Sequence, residues 1–308
     1  RFARAREALA RARALGADAA RVADLEAELD WNDGRYDAAI AAIRRARAAR
    51  PSSATWLREA QLEHDLGRYD ESDRAFEAAE DLVVDPSPIP LAHMYVQRGV
   101  ALSQRGRLEA AIAFFREAAL RMPTYVAALE HLGEALHALG KDDEATATYE
   151  RVVALSDDPE FAHALAELYA ARGKRARADE LAARAKAGYE RLVAKHPEAM
   201  YWHAAEYYAD VGDRARALDL LQKNAALRPN ATSWVALARA EAEAGKWPEA
   251  RATIDRALAT PVVSADLFAT ASRVYAHGGD AAAAARFADK ARAIDPRAMD
   301  GDAPPRDR

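Results

Sequence analysis

Apolar positions along this chain follow a helical rhythm that glycine interrupts at regular distances. Apolar residues return every three or four positions, the pattern of helices with one buried face. The interruptions fall at Gly34, Gly67, Gly106, Gly140, Gly173, Gly212, Gly245 and Gly279, spaced 33, 39, 34, 33, 39, 33 and 34 residues apart. With that glycine set as position 15 of each unit, position 8 reads Ala27, Ala60, Gly99, Gly133, Ala166, Ala205, Ala238 and Ser272. Position 20 reads Ala39, Ser72, Ala111, Ala145, Ala178, Ala217, Ala250 and Ala284. All are small, as two antiparallel helices require where they pack closely. Position 24 is large in Ile43, Phe76, Phe115, Tyr149, Leu221 and Ile254, and Ala182 and Ala288 are its exceptions. A proline stands at or near position 32: Pro51, Pro86, Pro123, Pro159, Pro197, Pro229, Pro261 and Pro296. Proline there ends a helix, and glycine supplies the left-handed backbone of a turn. Each unit therefore predicts a first helix (A), a glycine turn and a second helix (B). So short a hairpin cannot bury its apolar face alone, and the period implies an all-α solenoid of stacked hairpins.

The third unit supplies Tyr95, Gly99, Leu102, Gly106, Ala111, Phe115, Ala118 and Pro123; the fourth supplies Leu129, Leu132, Gly133, Leu136, Gly140, Ala145 and Tyr149. This pattern resembles the tetratricopeptide repeat family over about residues 20–296. The resemblance implies a right-handed α-solenoid of about eight helical hairpins. It also implies a scaffold that binds proteins or peptides in its concave groove to assemble a multiprotein complex. Residues 1–19 read as a lone helix, part of a preceding unit, residues 20–296 as the eight repeats, and residues 297–308 as a disordered tail. Two junctions are long, near 85–91 and 186–197. Pro86, Pro88 and Pro90 should keep the first out of a helix. At the second, the B helix should run on and end before His196-Pro197. In the first unit Val22, Leu25 and Leu29 predict one extra residue in the turn.

In that family the groove is lined from positions 2, 5, 9 and 12 of the A helices. Carried onto this chain, those positions give Glu130, Glu134 and His137 in repeat four and Glu160, His163 and Glu167 in repeat five. Repeat six adds Trp202 and Glu206, with His131 and His203 one step round, and Arg239 and Arg273 make a basic end in repeats seven and eight. Acidic side chains there favour a basic or neutral polar segment, and Trp202 offers an apolar anchor. The aromatic residues at positions 4 and 11, among them Tyr95, Trp234, Phe268, Tyr169, Tyr208 and Tyr275, read as inter-helix packing; Trp31 and Trp247 have no evident role. Glu134-Ala-Leu-His137 and Glu160-Phe-Ala-His163 are both Glu-x-x-His, the spacing of bundle di-metal sites. A metal-binding groove is a distant third reading, and no metal or other cofactor is expected.

Composition narrows the rest. Net charge is −5 with both signs interspersed, which draws the chain to neither nucleic acid nor an anionic membrane. Charge is uneven at the front: residues 1–50 hold eleven Arg against eight acids, residues 51–100 four Arg against ten. There is no cysteine, hence no disulfide framework or thiol nucleophile. No glycine-rich phosphate loop or His-Glu-x-x-His occurs, so no enzyme activity is expected. The seven lysines lie outside the A helices, and Val96 and Val100 occupy groove positions of repeat three. That pattern excludes the heat-shock chaperone adaptors, which grip a C-terminal carboxylate with Lys and Asn. No apolar run is long enough for direct membrane insertion. The opening Arg1 and the absence of a capping helix after Pro296 fit a piece of a longer chain. Two alternatives follow, the recognition arm of a larger enzyme and an exported envelope or polysaccharide-secretion assembly factor. Alanine and arginine usage points to a bacterial source with GC-rich DNA. Export, to the periplasm or on a lipid anchor, is slightly favoured over the cytoplasm.

Overall fold

The computed structural model describes residues 2–84 and 87–300, which form 17 α-helices and no strand. α1 (Phe2–Ala14) precedes eight hairpins. They are α2 (Ala19–Asn32) with α3 (Tyr36–Ala49), α4 (Ser53–Asp65) with α5 (Tyr69–Asp81), α6 (Pro88–Ser103) with α7 (Leu108–Arg121), and α8 (Val126–Ala138) with α9 (Asp142–Leu155). The second half holds α10 (Pro159–Ala171) with α11 (Arg175–Lys195), α12 (Pro197–Asp210) with α13 (Arg214–Leu227), α14 (Ala231–Glu243) with α15 (Trp247–Leu258), and α16 (Ala265–His277) with α17 (Ala281–Ile294). Successive hairpins stack into a right-handed α-solenoid, each B helix packing against the A helix of the next repeat.

Every ladder glycine has a positive φ, from 69° at Gly106 to 85° at Gly212. The turns end their A helices alike. Gly67 N–H donates to the His64 carbonyl at 2.9 Å and Arg68 N–H to the Glu63 carbonyl at 2.9 Å. These paired bonds satisfy carbonyls that the helix end would leave open. Below each turn the small positions let the hairpin close. A methyl at Gly133 would stand 2.7 Å from the Tyr149 ring, and one at Gly99 would meet the Phe115 ring. In these two repeats glycine makes room for the ring at position 24, whereas repeat two fits Ala60 beside Phe76 in one buried cluster. Phe76, Phe115, Ile43, Leu129, Leu136 and Ile254 are fully buried in these seams. Each contributes about 2–3 kcal/mol of hydrophobic stabilisation.

Three expectations are corrected. Pro88 and Pro90 lie inside α6: Pro88 occupies its first turn after the Ser87 cap, where a missing N–H costs nothing. Pro86 lies outside the described residues. In repeat one the extra residue lengthens α2 to 14 residues, and its turn matches the others, with Gly34 N–H on the Trp31 carbonyl and Arg35 N–H on the Asp30 carbonyl. In the tail, Arg297–Asp300 are turned rather than disordered: Ala298 N–H donates to the Asp295 carbonyl at 3.0 Å. Residues 301–308 of the expected tail lie outside the described residues. The second long junction is taken up by α11, 21 residues long. Gly188 lets it pass Pro159 so closely that a methyl would lie 2.7 Å from the proline Cβ.

The solenoid also meets itself. The glycine turns of repeats one to three dock on the B-to-A junctions of the last repeats. Ala231 N–H donates to the Tyr36 hydroxyl at 2.7 Å and Val263 N–H to the Asp65 carbonyl at 2.8 Å. A methyl at Gly34 would stand 2.7 Å from the Pro229 carbonyl oxygen, and one at Gly67 would stand 2.8 Å from Val263 Cβ. Gly106 faces the Asp295 carboxylate in the same way. Trp31, without a role in the sequence, packs edge-on against Tyr36 at 4.6 Å beside this seam.

Candidate functional site: an acidic concave channel

Side chains one or two turns apart on α8, α10, α12, α14 and α16 converge on one interior surface, where Glu130, Glu160, Glu206, Arg239 and Arg273 line a common cavity. Two adjoining cavities of about 810 and 560 Å³ open on it. Both are lined by Glu130, Glu134, Glu160, Trp202 and Glu206. The larger also takes His163, Glu167, Arg239 and Arg273, and the smaller takes His131 and His203. His137 lines neither. Its side chain is 60% exposed, and Nδ1 lies 2.8 Å from the Asp142 carboxylate at the start of the B helix. It sits near the end of α8, where the turn carries it away from the groove.

The carboxylates here face one another or histidines. His131 Nδ1 lies 3.0 Å from Glu130 and 3.3 Å from Glu134, with its ring stacked on Phe115 at 5.5 Å. Burial alone would lower its pKa, but the hydrogen bonds and charges of Glu130 and Glu134 outweigh that and raise it to about 10. His203 Nδ1 lies 3.5 Å from Glu160 and 3.9 Å from Glu206. His163 Nε2 lies 3.4 Å from Asp210, a partner the sequence did not reveal. Glu160 is pushed up to about 7 by desolvation and by Glu130, Asp158 and Glu206, against the lowering pull of His203. Desolvation also pushes Glu206 up to about 7, with Asp210 and Glu134 adding to it and the Trp202 hydrogen bond and Arg239 opposing it. The same field reaches Tyr149, raised by burial and then by Glu130, Glu134, Glu160 and Glu167.

The arginine end is not a basic patch. Arg239 is ion-paired with Asp266 of the next A helix, and Arg273 lies 3.8 Å from Glu243 of the preceding one. Asp210 and Glu243 lie at position 13, outside the four groove positions, whereas Asp266 lies at position 2 of repeat eight, a groove position that the sequence already offers. The larger cavity thus presents eight carboxylates (Glu130, Glu134, Glu160, Glu167, Glu206, Asp210, Glu243 and Asp266) against Arg214, Arg239 and Arg273.

Metal donors assemble differently from the sequence motifs. His137 of the first Glu-x-x-His points elsewhere, and among the described residues the group whose ligand atoms lie within 4.8 Å of one another is Glu130, His131 and Glu134. There Glu130 and Glu134 favour the protonated imidazolium of His131, and a metal would have to displace that proton.

A helical-repeat solenoid with a continuous inward surface is a protein-interaction scaffold. The chain belongs to the tetratricopeptide repeat family: tetratricopeptide repeat profiles match residues 25–72, 57–123 and 203–266, and a second such profile matches residues 102–168. No curated protein matches it in sequence. Among solved structures, a monomeric mutant of IFIT1 with Gppp-AAAA aligns with TM-score 0.50 and 16% identity, over 91% of this chain and 70% of that one. MamA aligns with TM-score 0.45 and 22% identity, over 54% of this chain and 95% of that one. Cut9, in the APC/C hetero-tetramer Cut9-Hcn1, aligns with TM-score 0.47 and 16% identity, over 91% and 54%. These likenesses concern the fold. Among the described residues no helix is long and apolar enough to cross a membrane.

Proposed function

We propose that this chain is an assembly scaffold whose acidic channel, built by the A helices of repeats four to seven, captures an extended segment of a partner protein bearing lysine or arginine. One observation carries the reading: among the described residues Glu134, Glu160, Glu167 and Glu206 have only histidines within ion-pair distance, and no guanidinium or ammonium. A cationic side chain entering between them relieves mutual repulsion as well as gaining its own contacts. Trp202 supplies a flat face for the aliphatic stem or the guanidinium plane. Phosphate-rich nucleic acid is disfavoured by the same excess of carboxylates. The channel is read as a binding surface, and no catalytic role is assigned to it.

The test is titration of the full chain with a short peptide containing lysine and arginine and with its glutamate counterpart, followed by Trp202 fluorescence and calorimetry. The basic peptide should bind and the acidic one should not. Charge reversal by Glu134→Lys, Glu167→Lys and Glu206→Lys together should weaken binding at least about hundredfold. His137→Ala should leave it unchanged. Equal affinity of the triple variant and the unaltered chain would remove the channel from the mechanism.

A further inference from the structure

Of the three glycine turns in the internal seam, Gly67 alone docks on an apolar side chain, Val263, whereas Gly34 meets the Pro229 carbonyl and Gly106 the Asp295 carboxylate. At the junction before α16 the chain reads Val262-Val263-Ser264, with Ser264 capping the helix and Val263 seated on Gly67. At the junction before α6 it reads Val83-Val84 and then, three residues on, the capping Ser87. There the valine has nothing to sit on. Val84 is 92% exposed, and Ile89 and Leu82 beside it are 60% and 40% exposed. The last turns of the next two B helices also expose apolar side chains, Leu120 of α7 at 75% and Leu155 of α9 at 44%. Large apolar side chains gathered at one junction, as Leu82, Val84 and Ile89 are, mark a contact surface.

The complementary edge is also bare. Gly34, Gly67 and Gly106 are covered by the seam, whereas a methyl at Gly140, Gly173, Gly212, Gly245 or Gly279 would meet nothing within 4 Å. Val211, next to Gly212, is 51% exposed, while Leu66, next to Gly67, is buried. The chain thus carries one used copy of a turn-to-junction contact and both halves of an unused one, on opposite edges of the solenoid.

We propose that a second copy of this chain is the occupant: the glycine turns of repeats four to eight of one molecule dock on the Val84 edge of the next. The contact continues the internal seam from one molecule to another. It is head-to-tail, so it leaves a free edge at each end and propagates into short chains rather than closing as a symmetric dimer. It lies outside the acidic channel and is independent of what that channel binds.

Sedimentation velocity over a concentration series tests this. The unaltered chain should show a weight-average mass that rises with concentration beyond that of a dimer. The Val84→Asp/Ile89→Asp variant should remain monomeric or weaken association at least about tenfold. Both residues are largely solvent-exposed, so its melting temperature at low concentration should match that of the unaltered chain. Should it fall, Val84→Ser/Ile89→Ser replaces it. A chain that stays monomeric up to about 1 mM overturns the proposal, and so does association that the junction variants leave unchanged.

Discussion

Glu63 and Glu206 are both A-helix carboxylates, in repeats two and six, and their surroundings could hardly differ more. Glu63 is almost wholly buried, yet Arg44 from the preceding B helix and Arg68 from the following turn both hold it. Its neighbour Glu59 is held by Arg47 in the same way. Arg44 and Arg47 thus carry part of the arginine excess of residues 1–50 across to the acids of residues 51–100. Glu206 receives no such partner. It shares His203 with Glu160, and the B-helix arginines of the middle repeats are spent elsewhere, Arg116 on Glu144 and Arg121 on Glu117. Carboxylates at one end are structural, bound and satisfied; those in the middle are held at a cost that a cationic ligand would remove.

Three measurements break or sharpen that contrast, the largest effect first. Glu63→Ala should destabilise the chain by about 2 kcal/mol in urea unfolding, because Arg44 and Arg68 lose their shared partner in a half-buried interface. Glu206→Ala should cost nothing comparable. A loss as large at Glu206 would mean that both ends are built alike.

The second concerns the seam that separates the covered repeats from the open ones. Gly67→Ala and Gly173→Ala both force a methyl residue to a φ near 71°, at about 1 kcal/mol each. At Gly67 the methyl also strikes Val263, adding about 1 kcal/mol or more of overpacking. Unfolding curves should rank Gly67→Ala as the more harmful, and small-angle scattering should show that variant alone expanding as the seam parts. Equal effects would show that the seam contributes no stability.

The smallest effect is the dependence on pH. Glu160 and Glu206 are raised from the ordinary 4.5 to about 7, so between those values the folded chain binds more protons than the unfolded one. Their contribution to stability is therefore fullest at low pH and is lost as pH rises through about 7. Half of the Glu206 side chain meets water, which keeps its share below about 1 kcal/mol. Glu160→Gln/Glu206→Gln should flatten the stability profile between pH 5 and 8, measured by chemical unfolding. Binding of a basic peptide should run the opposite way and strengthen from pH 6 to pH 8 as both carboxylates ionise. An unchanged profile in the double variant would place the titration on other groups.

Some of this could be read from the residues directly. Gly99 and Gly133 at position 8 answer Phe115 and Tyr149 at position 24, and the helical period alone shows that each pair must touch. The A-helix spacing likewise brought Glu130, Glu134, Glu160 and Glu206 to one face. His137 leaves the groove because it stands in the last turn of α8, within reach of Asp142 just beyond the glycine turn. Arg239 and Arg273 looked like a basic end because their partners, Asp266 and Glu243, stand 27 and 30 residues away on neighbouring helices. Pro88 and Pro90 looked like a break because three prolines were read together, while a helix tolerates proline in its first turn.

The sequence by itself determined the repeat, the hairpin and its turn, since these rest on helical period, small-residue contact and the left-handed glycine, all interactions within about 35 residues. Only the tertiary structure decided which glycines are covered, which carboxylates go without a partner and where Trp31 packs. Those depend on contacts between residues nearly 200 positions apart, such as Tyr36 with Ala231 and Asp65 with Val263. Small rotations at each hairpin add up to bring those residues together, and no local pattern records their sum.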